Sequence, residues 1–138
     1  MTVEQEELPL PEALSAELGR IGLEFLAQVL EIEVRARPRN LDALIELAHT
    51  CTKLGLIGRG LEVDRDIVLL VPEDETARYN LACSLALSGQ TDEAFEALER
   101  AVEFGYDDPD HLEEDDDLAL LREDPRFAIL VSKLRLSS

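Results

Sequence analysis

The sequence predicts an all-α fold: an α-α superhelix of stacked antiparallel hairpins, closed by a C-terminal capping helix. Three observations carry this. Displaced by 34 residues, the chain lays Ala43 on Ala77, Leu47-Ala48 on Leu81-Ala82, Gly55 on Gly89, Glu62 on Glu96, Val68 on Val102 and Pro38 on Pro72. A constant offset of this size marks stacked supersecondary units. Within each copy the apolar residues recur at helical spacing, and aromatic residues make up only 4% of a chain that is 46% hydrophobic, so Leu, Ala and Val must fill the interior.

Taken in order, residues 1–10 are acidic and proline-bearing and are expected to be frayed. Pro11 suits a first helical turn, and Leu14, Leu18, Ile21, Phe25, Val29 and Ile32 keep a helical spacing through Arg37. One long helix would fit that stripe. Gly22 nevertheless lies 33 residues before Gly55, and Leu14 lies 33 before Leu47, which favours a degenerate first hairpin over 11–38, broken near Gly19 to Gly22. Residues 39–72 and 73–106 are the two clear copies. Their leading helices carry Leu41, Leu44, Ile45 and Ala48, then Ala77, Leu81, Ala82 and Leu85. Each begins after a side chain able to accept from free backbone N–H groups, Asn40 or Asp74, and each ends near a glycine able to take positive φ, Gly55 or Gly89. The second stripes are Leu61, Ile67, Val68 and Leu70, then Ala94, Leu98, Ala101 and Val102. Residues 107–138 lose the period and read as a cap. Asp108-Pro109 and Asp124-Pro125 each predict a helix start, and Phe127, Leu130, Val131 and Leu134 give the last helix one apolar face, with Lys133 and Arg135 at its C-terminal end.

These residues resemble the tetratricopeptide repeat. In the second copy Leu81-Ala82, Leu85, Ala94, Leu98 and Ala101 match its pattern, and in the first Leu44, Leu47-Ala48, Gly60 and Pro72 do. The small residues let two helices of a hairpin cross closely. Asp64 departs from the pattern where a large apolar residue is wanted, Arg78 replaces an aromatic, and Tyr106 replaces the closing proline. Gly105-Tyr106, Asp117-Leu118, Leu121-Arg122 and Asp124-Pro125-Arg126-Phe127 are similar to the closing segment of many bacterial arrays, which implies a bacterial protein with a capped stack.

Composition narrows the function. At 138 residues the whole chain, 1–138, is expected to form one domain with a core that needs neither metal nor disulfide. Thirteen basic residues against 31 acidic ones, a formal charge of −18, argue against nucleic acid or an anionic membrane as partner. The excess is concentrated: sixteen acidic against two basic residues lie between Glu73 and Asp117. That block reads either as a solvated face or as an attraction for a basic segment of a partner. No run is apolar enough to span a membrane and the N-terminus has no signal-peptide pattern, so a cytoplasmic protein is expected. Cys51 and Cys83 are expected to be free thiols.

No chemistry emerges from the motifs. The carboxylates of 107–117 lack the alternate spacing and central glycine of a calcium loop. His49 and Cys51, two apart on a helix, point to different faces and cannot close on one metal with Cys83. There is no phosphate loop and no nucleophile motif, so no cofactor, metal or catalytic residue is assigned. What remains is the concave groove that stacked hairpins leave, lined by the leading helices. In the repeat register Asp42, Ile45, His49 and Lys53, then Thr76, Tyr79, Asn80 and Cys83, look into it, although several of them could equally pack on neighbouring helices. Repeats of this kind that hold C-terminal carboxylates use a Lys, Arg and Asn ring. Asn80 matches one such place, but Ile45 and His49 replace a Lys and an Asn, so that specificity is not expected. The reading is therefore a non-enzymatic adaptor that takes a peptide or helix of another protein. A holding chaperone with an apolar groove, or a self-associating homo-oligomer, are the alternatives.

Overall fold

The computed structural model describes residues 10–137, so the expectation that residues 1–10 are frayed falls, but for Leu10, on residues outside it. Among the described residues seven α-helices follow one another: α1 Glu12–Ala36, α2 Leu41–Leu54, α3 Ile57–Leu70, α4 Glu75–Leu87, α5 Thr91–Glu103, α6 Pro109–Glu114 and α7 Pro125–Ser137. A 3-10 helix, Asp116–Leu121, lies between the last two. No strand occurs among the described residues. Consecutive helices pack against each other from α1 to α5, α7 lies against α5 and α6, and the 3-10 helix returns to α4.

The two clear hairpins, α2–α3 and α4–α5, are built by the same local devices. Asn40 and Asp74 accept the amide N–H of Ala43 and Ala77 through side-chain oxygens at 3.2 and 2.8 Å, which satisfies donors that a helix start leaves open. Each leading helix ends in the same double closure: Leu56 N–H to Cys51 O and Gly55 N–H to Thr52 O, then Gln90 N–H to Leu85 O and Gly89 N–H to Ala86 O. This closure requires a left-handed residue, and Gly55 and Gly89 supply it with φ of 74° and 76°. Between the helices Leu44, Leu47, Leu85 and Leu98 are fully buried, and Ala82, Ala94 and Ala101 sit at the close crossings. The C-terminal cap follows the sequence closely. Asp108 caps α6, and Leu112, Leu118, Leu121, Phe127, Leu130 and Leu134 join the core. Arg126 latches α7 to α5 by lying 4.4 Å over the Phe95 ring and pairing with Asp92.

The expected first hairpin over 11–38 does not form. Helix α1 runs unbroken for 25 residues through Gly19 and Gly22. The physical reason is the register. The ion pair Glu31–Arg59, between α1 and α3, recurs with its signs exchanged as Arg65–Glu93, between α3 and α5, so the offset of 34 residues extends into α1. That offset, one more than the 33 read at this end of the sequence, puts Ile21 where Gly55 and Gly89 turn the chain. A β-branched side chain disfavours positive φ, so the helix continues. Helix α1 is thus the counterpart of α3 and α5, extended at its N-terminal end. Its inward face is Leu23, Leu26, Ala27, Leu30 and Val34, which are buried or half-buried. The stripe that the spacing singled out points the other way, with exposures from 46% at Leu14 and Val29 to 68% at Ile32.

Candidate peptide-binding groove

Two adjoining clefts lie along α2 and α4. The larger, about 280 Å³, is lined by His49, Thr52 and Lys53 of α2, by Tyr79, Asn80, Cys83 and Ser84 of α4, and by His111, Asp115 and Asp117 of the C-terminal segment. The smaller, about 130 Å³, takes Leu41, Ile45, His49, Thr76 and Asn80 together with Asp74. Of the eight expected residues, Ile45, His49, Lys53, Thr76, Tyr79, Asn80 and Cys83 therefore border the groove. Asp42 is exposed and lines neither cleft.

Tyr79 and Cys83 border the groove without being free to use it. Tyr79 is buried, stacks on Tyr106 with ring centroids 4.6 Å apart, tilts against His111 at 5.4 Å, and donates its hydroxyl to Asp115 Oδ2 at 2.6 Å. Burial first, then that carboxylate, push its phenol far above the ordinary tyrosine range. Cys83 donates its thiol to the same Oδ2 at 3.7 Å, and burial followed by the charges of Asp115 and Asp117 keep it a thiol. The other Asp115 oxygen accepts the Asp117 amide N–H at 3.0 Å, while Arg122 reaches the Asp115 carbonyl at 2.8 Å. Asp115 is thus a pivot that fastens the cap to α4, a role nothing in the acidic run 107–117 announces.

The floor between the two clefts is Asp64, which lines both. It comes from α3, is 5% exposed, and accepts a hydrogen bond from the Ser84 hydroxyl. Burial raises its pKa; the Ser84 bond and the nearby His49 partly offset that. Sequence reasoning missed Asp64, Asp115, Asp117 and His111 as groove residues. For Asp64 the signal was present, since a carboxylate replaces the large apolar residue of the repeat pattern there. The combined lining holds four carboxylates, Asp64, Asp74, Asp115 and Asp117, against one lysine, Lys53, and the two histidines. Asp117 also has a raised pKa, from burial first and then from Asp115 and Asp116.

Chemically, the arrangement is suited to accept cations and hydrogen-bond donors. Cys83, Asp115 and Asp117 each bring one ligand atom within 4.8 Å of the others, the spacing of a metal site. The Tyr79 hydroxyl and the Cys83 thiol both donate to Asp115 Oδ2, so Asp115 and Cys83 of this set are already joined in a hydrogen-bonded network. No helix among the described residues is long and apolar enough to cross a membrane.

No protein-family profile matches the chain, and no curated protein matches it by sequence. Solved structures do. A crystal structure of MamA superposes with a TM-score of 0.68 over 92% of this chain and 72% of its own, at 17% identity. A MamA RS-1 double mutant superposes with a TM-score of 0.63 over 88% of this chain and 70% of its own, at 20% identity. Identity this low speaks for the fold alone: like MamA, the chain has a tetratricopeptide-like, all-helical repeat fold.

Proposed function

We propose that the protein is a non-enzymatic interaction module that receives a basic segment of a partner protein along the α2–α4 groove. The observation that carries this is Asp64. A carboxylate buried at the junction of two clefts is costly unless it is matched by charge, and an arginine or lysine side chain entering either cleft would match it. Asp74, Asp115 and Asp117 extend the same negative field along the groove, which hastens encounter with a cationic partner. The four carboxylates set into the lining favour an adaptor that reads charge over a holding chaperone, whose client would need an uncharged apolar channel. Of the expected residues, Ile45, His49, Lys53, Thr76 and Asn80 are the side chains left to contact the partner, because Tyr79 and Cys83 are engaged in the cap.

Fluorescence anisotropy of labelled peptides tests this, with an arginine-bearing peptide set against a glutamate-bearing one of equal length. The arginine peptide should bind, and Asp64→Asn should weaken it by roughly 10-fold or more, the worth of one charged hydrogen bond. Since a bound cation favours ionised Asp64, affinity should also rise with pH as that carboxyl deprotonates. Equal binding of both peptides, or no loss on Asp64→Asn, would remove the basis for the assignment.

A further inference from the structure

We infer that a second copy of this chain docks on the outer face of α1, so that the protein pairs through Leu14, Leu18, Ile21, Phe25, Val29 and Ile32. Helix α3 packs on α2 before it and α4 after it, whereas α1 packs on α2 and turns its opposite face to solvent. The contrast is visible at equivalent positions: Val63 of α3 is fully buried, and its counterpart Val29 is 46% exposed. One end of the stack is closed by α7; this end presents six large apolar side chains.

Area, shape and charge favour a copy of the same chain. At their exposures the six residues offer on the order of 600 Å² of apolar surface, most of the roughly 800 Å² that each partner contributes to a standard interface. The stripe also reads nearly alike in both directions about Leu23, so antiparallel pairing sets Leu14 opposite Ile32 and Ile21 opposite Phe25, with Leu18 and Val29 one residue out of step. Two-fold interfaces require such self-complementarity. Charge is the third consideration. Two chains of −18 repel, yet Glu12 to Arg39 holds five acidic and four basic residues, so copies meeting at α1 touch where the chain is nearly neutral and keep the Glu73–Asp117 block apart. The stripe keeps a mean period of 3.6 over 18 residues and so runs straight along the helix.

Sedimentation equilibrium of the full chain from about 1 to 100 µM should show conversion from 15.4 kDa to twice that mass. Added salt should strengthen the pair by screening the repulsion between acidic bodies. Phe25→Glu with Ile32→Glu should weaken association by at least about a hundredfold with an unchanged helical circular dichroism spectrum, because both side chains are exposed in the folded chain. Leu69→Glu, at a site on α3 that is 79% exposed, should leave the pair intact. A monomer at every concentration overturns the inference, as does dimerisation that survives the double charge substitution. If the wild type is monomeric and only removal of residues 1–9 produces the dimer, the preceding segment is the occupant and the inference also fails.

Discussion

Replacing the buried polar pair under the groove by an apolar one should stabilise the protein. Asp64 is 5% exposed and Ser84 7%, and they are each other's hydrogen-bond partners. In the double variant Asp64→Leu with Ser84→Ala neither partner is left unsatisfied, and the adjoining clefts give the larger leucine room. Burying the leucine contributes about 1.5–3 kcal/mol, and relief of carboxylate burial adds to it; imperfect packing subtracts about 1 kcal/mol or more. A net gain of about 2 kcal/mol corresponds to roughly 7 °C in Tm for a chain of this length. The pH dependence gives the sign check. Because the folded pKa of Asp64 lies above its ordinary 3.8, the folded state holds a proton that the unfolded state has released in the window just above that value. Stability contributed by this group is therefore present at low pH and lost as pH rises through the folded pKa. The variant should gain most at pH 7 and least near pH 4, measured by thermal melts followed by circular dichroism. A lower Tm at pH 7, or a gain that does not change with pH, would refute the claim that this carboxylate is held at a cost.

Two further substitutions probe the frame and the cap. Gly60→Ala lies inside α3, where the added methyl would meet Cys51 Cβ at 3.6 Å, an ordinary contact; urea unfolding should show a gain of about 0.5–1 kcal/mol from the reduced freedom of the unfolded chain. Asp115→Asn cannot accept both the Tyr79 hydroxyl and the Cys83 thiol at one oxygen while also holding the Asp117 amide, and should lose about 1–3 kcal/mol. Hydrogen exchange should then quicken first around Leu112 and Leu118, and unchanged protection there would show that the pivot does not hold the cap.

What the sequence disclosed and what it withheld divide along physical lines. Asn40, Asp74, Gly55 and Gly89 act within three to five residues of themselves, so their capping and turning roles could be read directly and the hairpins followed. The α7 face was equally plain, because Phe127, Leu130 and Leu134 keep the i, i+3, i+7 spacing of one face and are buried, while Ile129 and Leu136 fall off that spacing and stay exposed. Helix α1 misled because it is apolar on two opposite faces, and periodicity reports a face without saying which way it points. An offset of 33 looked as good there as 34 until the ion pairs Glu31–Arg59 and Arg65–Glu93 fixed the register. In the groove, the repeat register placed His49 and Asn80 correctly because they share the leading-helix face. It could not show that Tyr79 and Cys83 are taken up by Asp115, 36 and 32 residues away. Such long-range polar contacts leave no periodic trace.

The recurrence of the junction hydrogen bonds has a consequence for how this chain could be lengthened. Asn40 N–H to Arg37 O becomes Asp74 N–H to Val71 O, and Gly60 N–H to Leu56 O becomes Ala94 N–H to Gln90 O, each pair displaced by the same 34 residues. The boundary before residue 73 is therefore interchangeable with the one before residue 39. A duplicate of 39–72 spliced at that boundary would find its entry cap and its turn already in phase, but it would set Arg65 of one copy against Arg59 of the next, so the added copy would need Arg59→Glu to keep the bridge. The molecule is thus an extensible rod, whose length is a matter of copy number and whose groove lengthens with it.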